Sequence, residues 1–210
     1  YVTTDANKDG IYNACLHYGW IKERYLLALD MDGTLLKSDK TISPNTAASL
    51  IEANKKGQSI CLCTGRGLAE LKDYEGELDF CDYGILLSGC LIYDFKNDQP
   101  LEVHSFDTDV FTQMMDIVKK EDVMLYLLDS SHSIASQKDV ENMPYYNMAI
   151  YQSMFESRAF IVEDIYEYAE VHKDEILKFC LYNPSVDAMN QLLKKLEVFP
   201  VSCAVVEETA

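Results

Sequence analysis

No stretch of the 210 residues is apolar for long enough to cross a bilayer. The first residues lack the basic-then-apolar pattern of a secretory leader, so the expected setting is the cytoplasm. Cations are scarce, with 18 Lys and Arg against 35 Asp and Glu, a formal charge of −17. Such a surface repels phosphate backbones and anionic lipid, which excludes nucleic acid and membranes as expected partners. No CxxC pair occurs, and the seven cysteines stand singly or as Cys61-x-Cys63. Several lie inside apolar runs such as "SICLCT" and "KFCLY" and read as buried free thiols of a reducing compartment, with a zinc site a distant second. Internal repeats and low-complexity tracts are also absent. What is present, 48% hydrophobic and 25% charged residues, is the composition of a globular chain of one large domain or two small ones.

The opening residues contain Asp5-x-Asn7-x-Asp9-Gly10, the first half of a calcium loop. Position 12 of such a loop supplies a bidentate carboxylate, and here it is Leu16. A polar turn is the stronger reading, followed by a helix from Ile11 through "IYNACLHYGW". Ile11, Ala14, Cys15 and Tyr18 recur at helical spacing, which predicts one buried face.

Beyond it, "YLLALD" (25–30) is nearly continuous apolar sequence ending in a carboxylate, the pattern of a buried parallel strand. Ser43 as N-cap, Pro44 at the first helical position and Gly57 as terminator predict a helix over "PNTAASLIEANKKG". "SICLCT" (59–64) is a second buried strand, "GLAELKDYEGEL" a second helix and "YGILLS" (83–88) a third strand. Alternating strands and helices at this spacing predict a doubly wound α/β core. "CLIYDF" and "LEVHSF" around "KNDQP" predict a hairpin. From about Asp107 the pattern becomes helix, strand, a Tyr-rich middle, strand and helix, with "VSCAVV" as a last strand-like run. That set reads as an α+β insert.

The chemistry-bearing residues follow the strands. Asp30-Met31-Asp32-Gly33-Thr34 comes directly after the first, and Thr64-Gly65-Arg66 after the second. Ligands of open α/β sheets bind beyond the carboxyl ends of the strands. Gly33 lets the chain turn so that Asp30 and Asp32 both face the crevice. A surface turn would account for DxDG alone, but a second polar strand end beside it lowers that reading. Arg66 reads about equally as a substrate contact or as a salt bridge on the following helix.

"LLALDMDGTLL", the Thr64-Gly65-Arg66 triplet and "SGCLIYD" resemble the haloacid dehalogenase superfamily, and more narrowly its Cof-type phosphatases (IIB-capped). The resemblance implies a Rossmann-like α/β core with an α+β cap inserted after the third strand. It divides the chain into 1–22, a segment resembling the family's C-terminal end, 23–106 as core, 107–206 as cap and 207–210 returning to the core. It implies a phosphomonoester hydrolase acting on sugar phosphates or similar small phosphorylated metabolites through a phosphoaspartate. Asp30 would be nucleophile and Mg²⁺ ligand. Asp32 would be general acid and base, lending its carbonyl to Mg²⁺. The backbone of Met31, Gly33 and Thr34 would bind phosphate with Thr64 and Gly65, and Arg66, Ser88 and Gly89 would face substrate or cap.

Ser88 stands where the family usually has Asn. Neither the family's third motif, a Lys, nor its fourth, Gly-Asp-x-x-Asn-Asp, occurs after the cap. Two alternatives follow: a phosphomutase-like relative, or a catalytically inactive form that binds a phosphorylated ligand or a partner. P-type ATPases are disfavoured, because Met31-Asp32 occupies the place of their Lys-Thr.

Overall fold

The computed structural model describes residues 10–19 and 24–204. Two sheets organise the chain. The first has five strands in the order β1 (Leu26–Asp30), β2 (Ser59–Cys63), β3 (Tyr83–Leu86), β4 (Leu91–Asp94) and β5 (Gln99–Val103). β1, β2 and β3 are parallel, and β4 and β5 continue antiparallel as the predicted hairpin. Asp94 closes that hairpin, accepting from the backbone N–H groups of Lys96 at 2.9 Å and Asn97 at 3.0 Å. α2 (Pro44–Lys55) links β1 to β2. Ser43 has extended N-cap geometry, although its hydroxyl makes no capping bond, and Gly57 ends the helix at φ +90°.

The second sheet has the order β8 (Phe160–Val162), β7 (Ser133–Ser136), β6 (Met124–Leu128) and β9 (Lys178–Tyr182). Around it are α4 (Thr108–Val118), α5 (Gln137–Glu141), α6 (Gln152–Arg158), α7 (Ile165–Val171) and α8 (Val186–Leu196). Period two along β6 divides its apolar run between two environments. Leu125 and Leu127 pack with Phe111, Met114 and Leu192 of α4 and α8. Met124, Tyr126 and Leu128 join an apolar cluster shared with Met31, Leu62 and Leu86 of the first sheet's side. The insert is therefore seated on the core through one continuous apolar layer.

Several expectations change. β1 was expected to be buried, yet among the described residues it is the outer strand of its sheet, and Leu26 is 62% exposed. A continuous apolar run shows that both faces suit burial, but not whether a neighbour strand lies alongside. The second helix is short: α3 (Leu68–Leu71) passes into a single 3₁₀ turn at Lys72–Tyr74, ahead of Gly76 at φ +82°. The helix after Gly10 forms as α1 (Gly10–His17), but Ile11 is 82% exposed and Tyr18 about half exposed. Helical spacing puts residues on one face without supplying anything to cover it. Residues 201–204 form no strand. Asp5, Asn7 and Asp9 of the calcium-like loop and the return at 207–210 lie outside the described residues.

Candidate active site

Asp30 is the last residue of β1 and lies opposite Cys63, the last of β2. Thr64, one step further, therefore sits at the adjoining strand end, and its N–H donates to the Ile85 carbonyl of β3 at 2.9 Å. The chain beyond Asp30 folds back at once. Leu35 N–H donates to Asp30 O and Leu36 N–H to Met31 O, around Gly33 at φ +79°. No atom would touch a Cβ at Gly33, so the left-handed backbone alone calls for glycine there. Met31, Leu35 and Leu36 anchor this loop in the core. Met31 is fully buried, so its side chain belongs to the core.

Alternation brings Asp30 and Asp32 out of the loop with exposed carboxylates. The Thr34 hydroxyl donates to Asp30 Oδ2 at 3.1 Å. Asp32 is held more firmly. Arg66 grips it with two bonds, Nε to Oδ2 at 3.0 Å and Nη2 to Oδ1 at 2.9 Å, and Lys40 Nζ adds a third at 2.9 Å. The Arg66 hydrogen bonds, with Lys40 behind them, keep the Asp32 carboxyl below the usual carboxylate range against the opposing effect of burial. Arg66 does form a salt bridge, but its partner is Asp32 rather than a group on the following helix. Its guanidinium also lies 5.5 Å from the centre of the Tyr74 ring.

Thr64 is buried and turns its hydroxyl oxygen toward the Arg66 N–H at 3.2 Å. Ser88 N–H donates to Thr64 O and Leu87 N–H to Arg66 O, so the third strand's terminal turn is bonded to the second's. Leu87, Ser88 and Gly89 all have positive φ, at 52°, 60° and 101°. The sequence-derived residues Asp30, Asp32, Thr64, Gly65, Arg66, Ser88 and Gly89 thus gather around the ends of three neighbouring strands.

Three further residues belong to this region and escaped the sequence reading. Lys40 reaches Asp32 from a left-handed turn (φ 62°) that nothing in "SDKT" announces. Glu70 accepts from the Gly67 N–H at 2.7 Å, and burial pushes its carboxyl up. Lys178 extends from β9 to Gly65 O at 2.9 Å and Ser88 Oγ at 3.1 Å. A lysine inside the apolar run "EILKFC" was a usable signal, because a charge within a strand pattern marks a side chain with a specific partner.

A family model described as haloacid dehalogenase-like hydrolase matches residues 27–208. A putative phosphatase, YxeH of Bacillus subtilis (strain 168), is 28% identical over 130 residues, 60% of this chain and 48% of that protein. From the same organism, the 5-amino-6-(5-phospho-D-ribitylamino)uracil phosphatase YitU is 34% identical over 100 residues, 47% of this chain and 37% of that protein. The chain thus spans less than half the length of either relative. Among solved structures, a haloacid dehalogenase-like hydrolase from B. subtilis superposes with a TM-score of 0.66 at 16% identity, over 82% of this chain and 66% of that one.

Proposed function

The chain belongs to the haloacid dehalogenase-like hydrolase family, and from that premise we propose that it serves a Mg²⁺-dependent phosphomonoester hydrolase of small phosphorylated metabolites, sugar phosphates among them. One observation carries the reading. Asp30 ends a parallel strand beside Thr64 at the end of the next, and the Gly33 turn folds the Asp32 carboxylate to the same edge.

In this reading Asp30 attacks phosphorus with one carboxylate oxygen, while the Thr34 hydroxyl holds the other. The bond from phosphorus to the leaving oxygen breaks, and Asp32 protonates that oxygen. Asp32 then takes a proton from the water that attacks the phosphoaspartate, which releases phosphate and restores Asp30. Acid–base help of this kind contributes ~10²–10⁴-fold. Arg66 and Lys40 favour the ionised form of Asp32, so it takes up a proton only when they turn away. An incoming phosphoryl group offers both cations a denser negative charge. Thr64 and the backbone of 31–34 would hold the phosphoryl oxygens.

The donors present suit Mg²⁺ in kind. The Asp30 carboxylate, exposed at its strand end, and the Asp32 carbonyl are hard oxygens. Among the described residues no group of three or more His, Cys, Asp or Glu gathers, so these two form a partial set. Bound there, Mg²⁺ would supply charge neutralisation to the phosphoryl oxygens.

The test uses a form of the protein that also carries the family's third and fourth motifs, assayed on a panel of sugar phosphates with and without Mg²⁺. Asp30→Asn keeps the shape and removes the nucleophilic charge, and turnover should fall by at least ~10³-fold. Undiminished turnover in the variant, or hydrolysis indifferent to Mg²⁺, would refute the mechanism.

A further inference from the structure

Lys178 is the first residue of β9 and lies opposite Leu128 of β6. Period two puts it on the same face as Cys180 and Tyr182, which pack against the cluster shared with the core, while Phe179 and Leu181 turn into the outer cluster. The ammonium therefore leaves the insert toward the first sheet. It donates to two uncharged acceptors, Gly65 O at 2.9 Å and Ser88 Oγ at 3.1 Å. On the same face of the insert, the Tyr126 hydroxyl lies 3.5 Å from Glu70 Oε1, and the other Glu70 oxygen holds the Gly67 N–H. Both contacts from the insert end on residues 65–70 and 88, around the turn that bears Thr64 and Arg66.

We propose that Lys178 is a positioning residue: through Gly65 and Ser88 it latches the insert onto the Thr64–Arg66 turn, so that seating of the insert and the shape of that turn are set together. For its catalytic consequence this rests on the reading of that turn as a phosphate-holding element. The latch itself rests on the local geometry. A Cβ at Gly65 would lie 3.4 Å from both Lys178 Nζ and Ser88 Oγ, an ordinary contact distance, so both groups lie close against this backbone position. Ser88 sits at φ +60°, where a serine is uncommon, and is held from two sides. Its N–H donates to Thr64 O, and its hydroxyl accepts from Lys178.

Hydrogen–deuterium exchange on the full 210-residue chain tests the latch without reference to turnover. In Lys178→Met the amides of 64–68 and 87–89 should exchange about tenfold faster, the scale of one charge-assisted hydrogen bond lost. The amides of α4 and α8 should keep their wild-type rates. Ser88→Ala removes one of the two acceptors and should raise exchange less. Because both changes cut the same tie, the double variant should exchange no faster than Lys178→Met. Unchanged exchange at 64–68 in Lys178→Met, additive effects in the double variant, or a rise spread through the whole insert would each overturn the latch. In a form that hydrolyses p-nitrophenyl phosphate, Lys178→Met should also lower kcat. Absence of hydrolysis in the wild type would count against the phosphatase reading, while the exchange rates would still decide the latch.

Discussion

Replacing Asp82 by Ala should destabilise the core by more than any single contact in the crevice contributes. Asp82 is 2% exposed and precedes β3. Its Oδ2 accepts from the Ile60 N–H of β2 at 2.8 Å, and both oxygens accept from the Asn54 amide of α2, at 3.0 and 2.9 Å. Lys96, in the β4–β5 turn, completes the set as an ion pair. Four segments meet on one carboxylate. Truncation to Ala strands the Ile60 N–H, on a fully buried residue, and leaves the Asn54 amide to find water. A buried donor left unpaired costs about 1–3 kcal/mol. The exposed Lys96 contributes at the lower end of what ion pairs give. The sum expected is about 2–4 kcal/mol, or roughly 6–12 °C in Tm for a chain of this size.

The pH dependence of that loss has a definite sign. Burial alone would raise the Asp82 carboxyl, but Lys96, the Ile60 N–H and the Asn54 amide together bring it below its ordinary value. A carboxyl depressed in the folded state stabilises fully above its unfolded value, about 3.9, and loses that contribution as pH falls through the folded value. The Tm gap between wild type and Asp82→Ala should therefore be widest near neutrality and narrow below about pH 4. Thermal unfolding followed by circular dichroism from pH 7 to pH 3 measures this. Equal Tm values at pH 7, or a gap that widens in acid, would refute the assignment of Asp82 as a core tie.

Two further outcomes are open to simple measurement. Asp107 caps α4 by accepting from the Asp109 and Val110 N–H groups at 3.1 and 3.0 Å, so Asp107→Ala should cost about 1 kcal/mol in urea unfolding, and an unchanged midpoint would remove the cap from the account. Burial pushes the Cys61 thiol to about 11 and the Cys81 thiol to about 12; in the native protein at pH 8 a thiol-specific disulfide reagent should label the exposed Cys203 at least ~10²-fold faster than either, and comparable rates would show that these segments open readily.

Sequence alone determined the features that depend on near neighbours. The strand end at Asp30, the turn at Gly33 and the stop of α2 at Gly57 each follow from residue types within a few positions, because backbone preference and period are local properties. The apolar run of β6 likewise announced a strand. β7, "SIAS", was not legible: its small and polar residues carry no strand signal, yet all four are buried because β6 and β8 flank it. Tertiary structure alone decided that β1 lies outermost among the described residues, that the α1 face at Ile11 stays open, and that Arg66 and Lys40 close on Asp32. It also decided that Lys178 reaches Gly65 and Ser88. An ion pair or a covered face requires two segments to arrive at one place. That meeting is set by how the sheets pack, which no window along the chain contains.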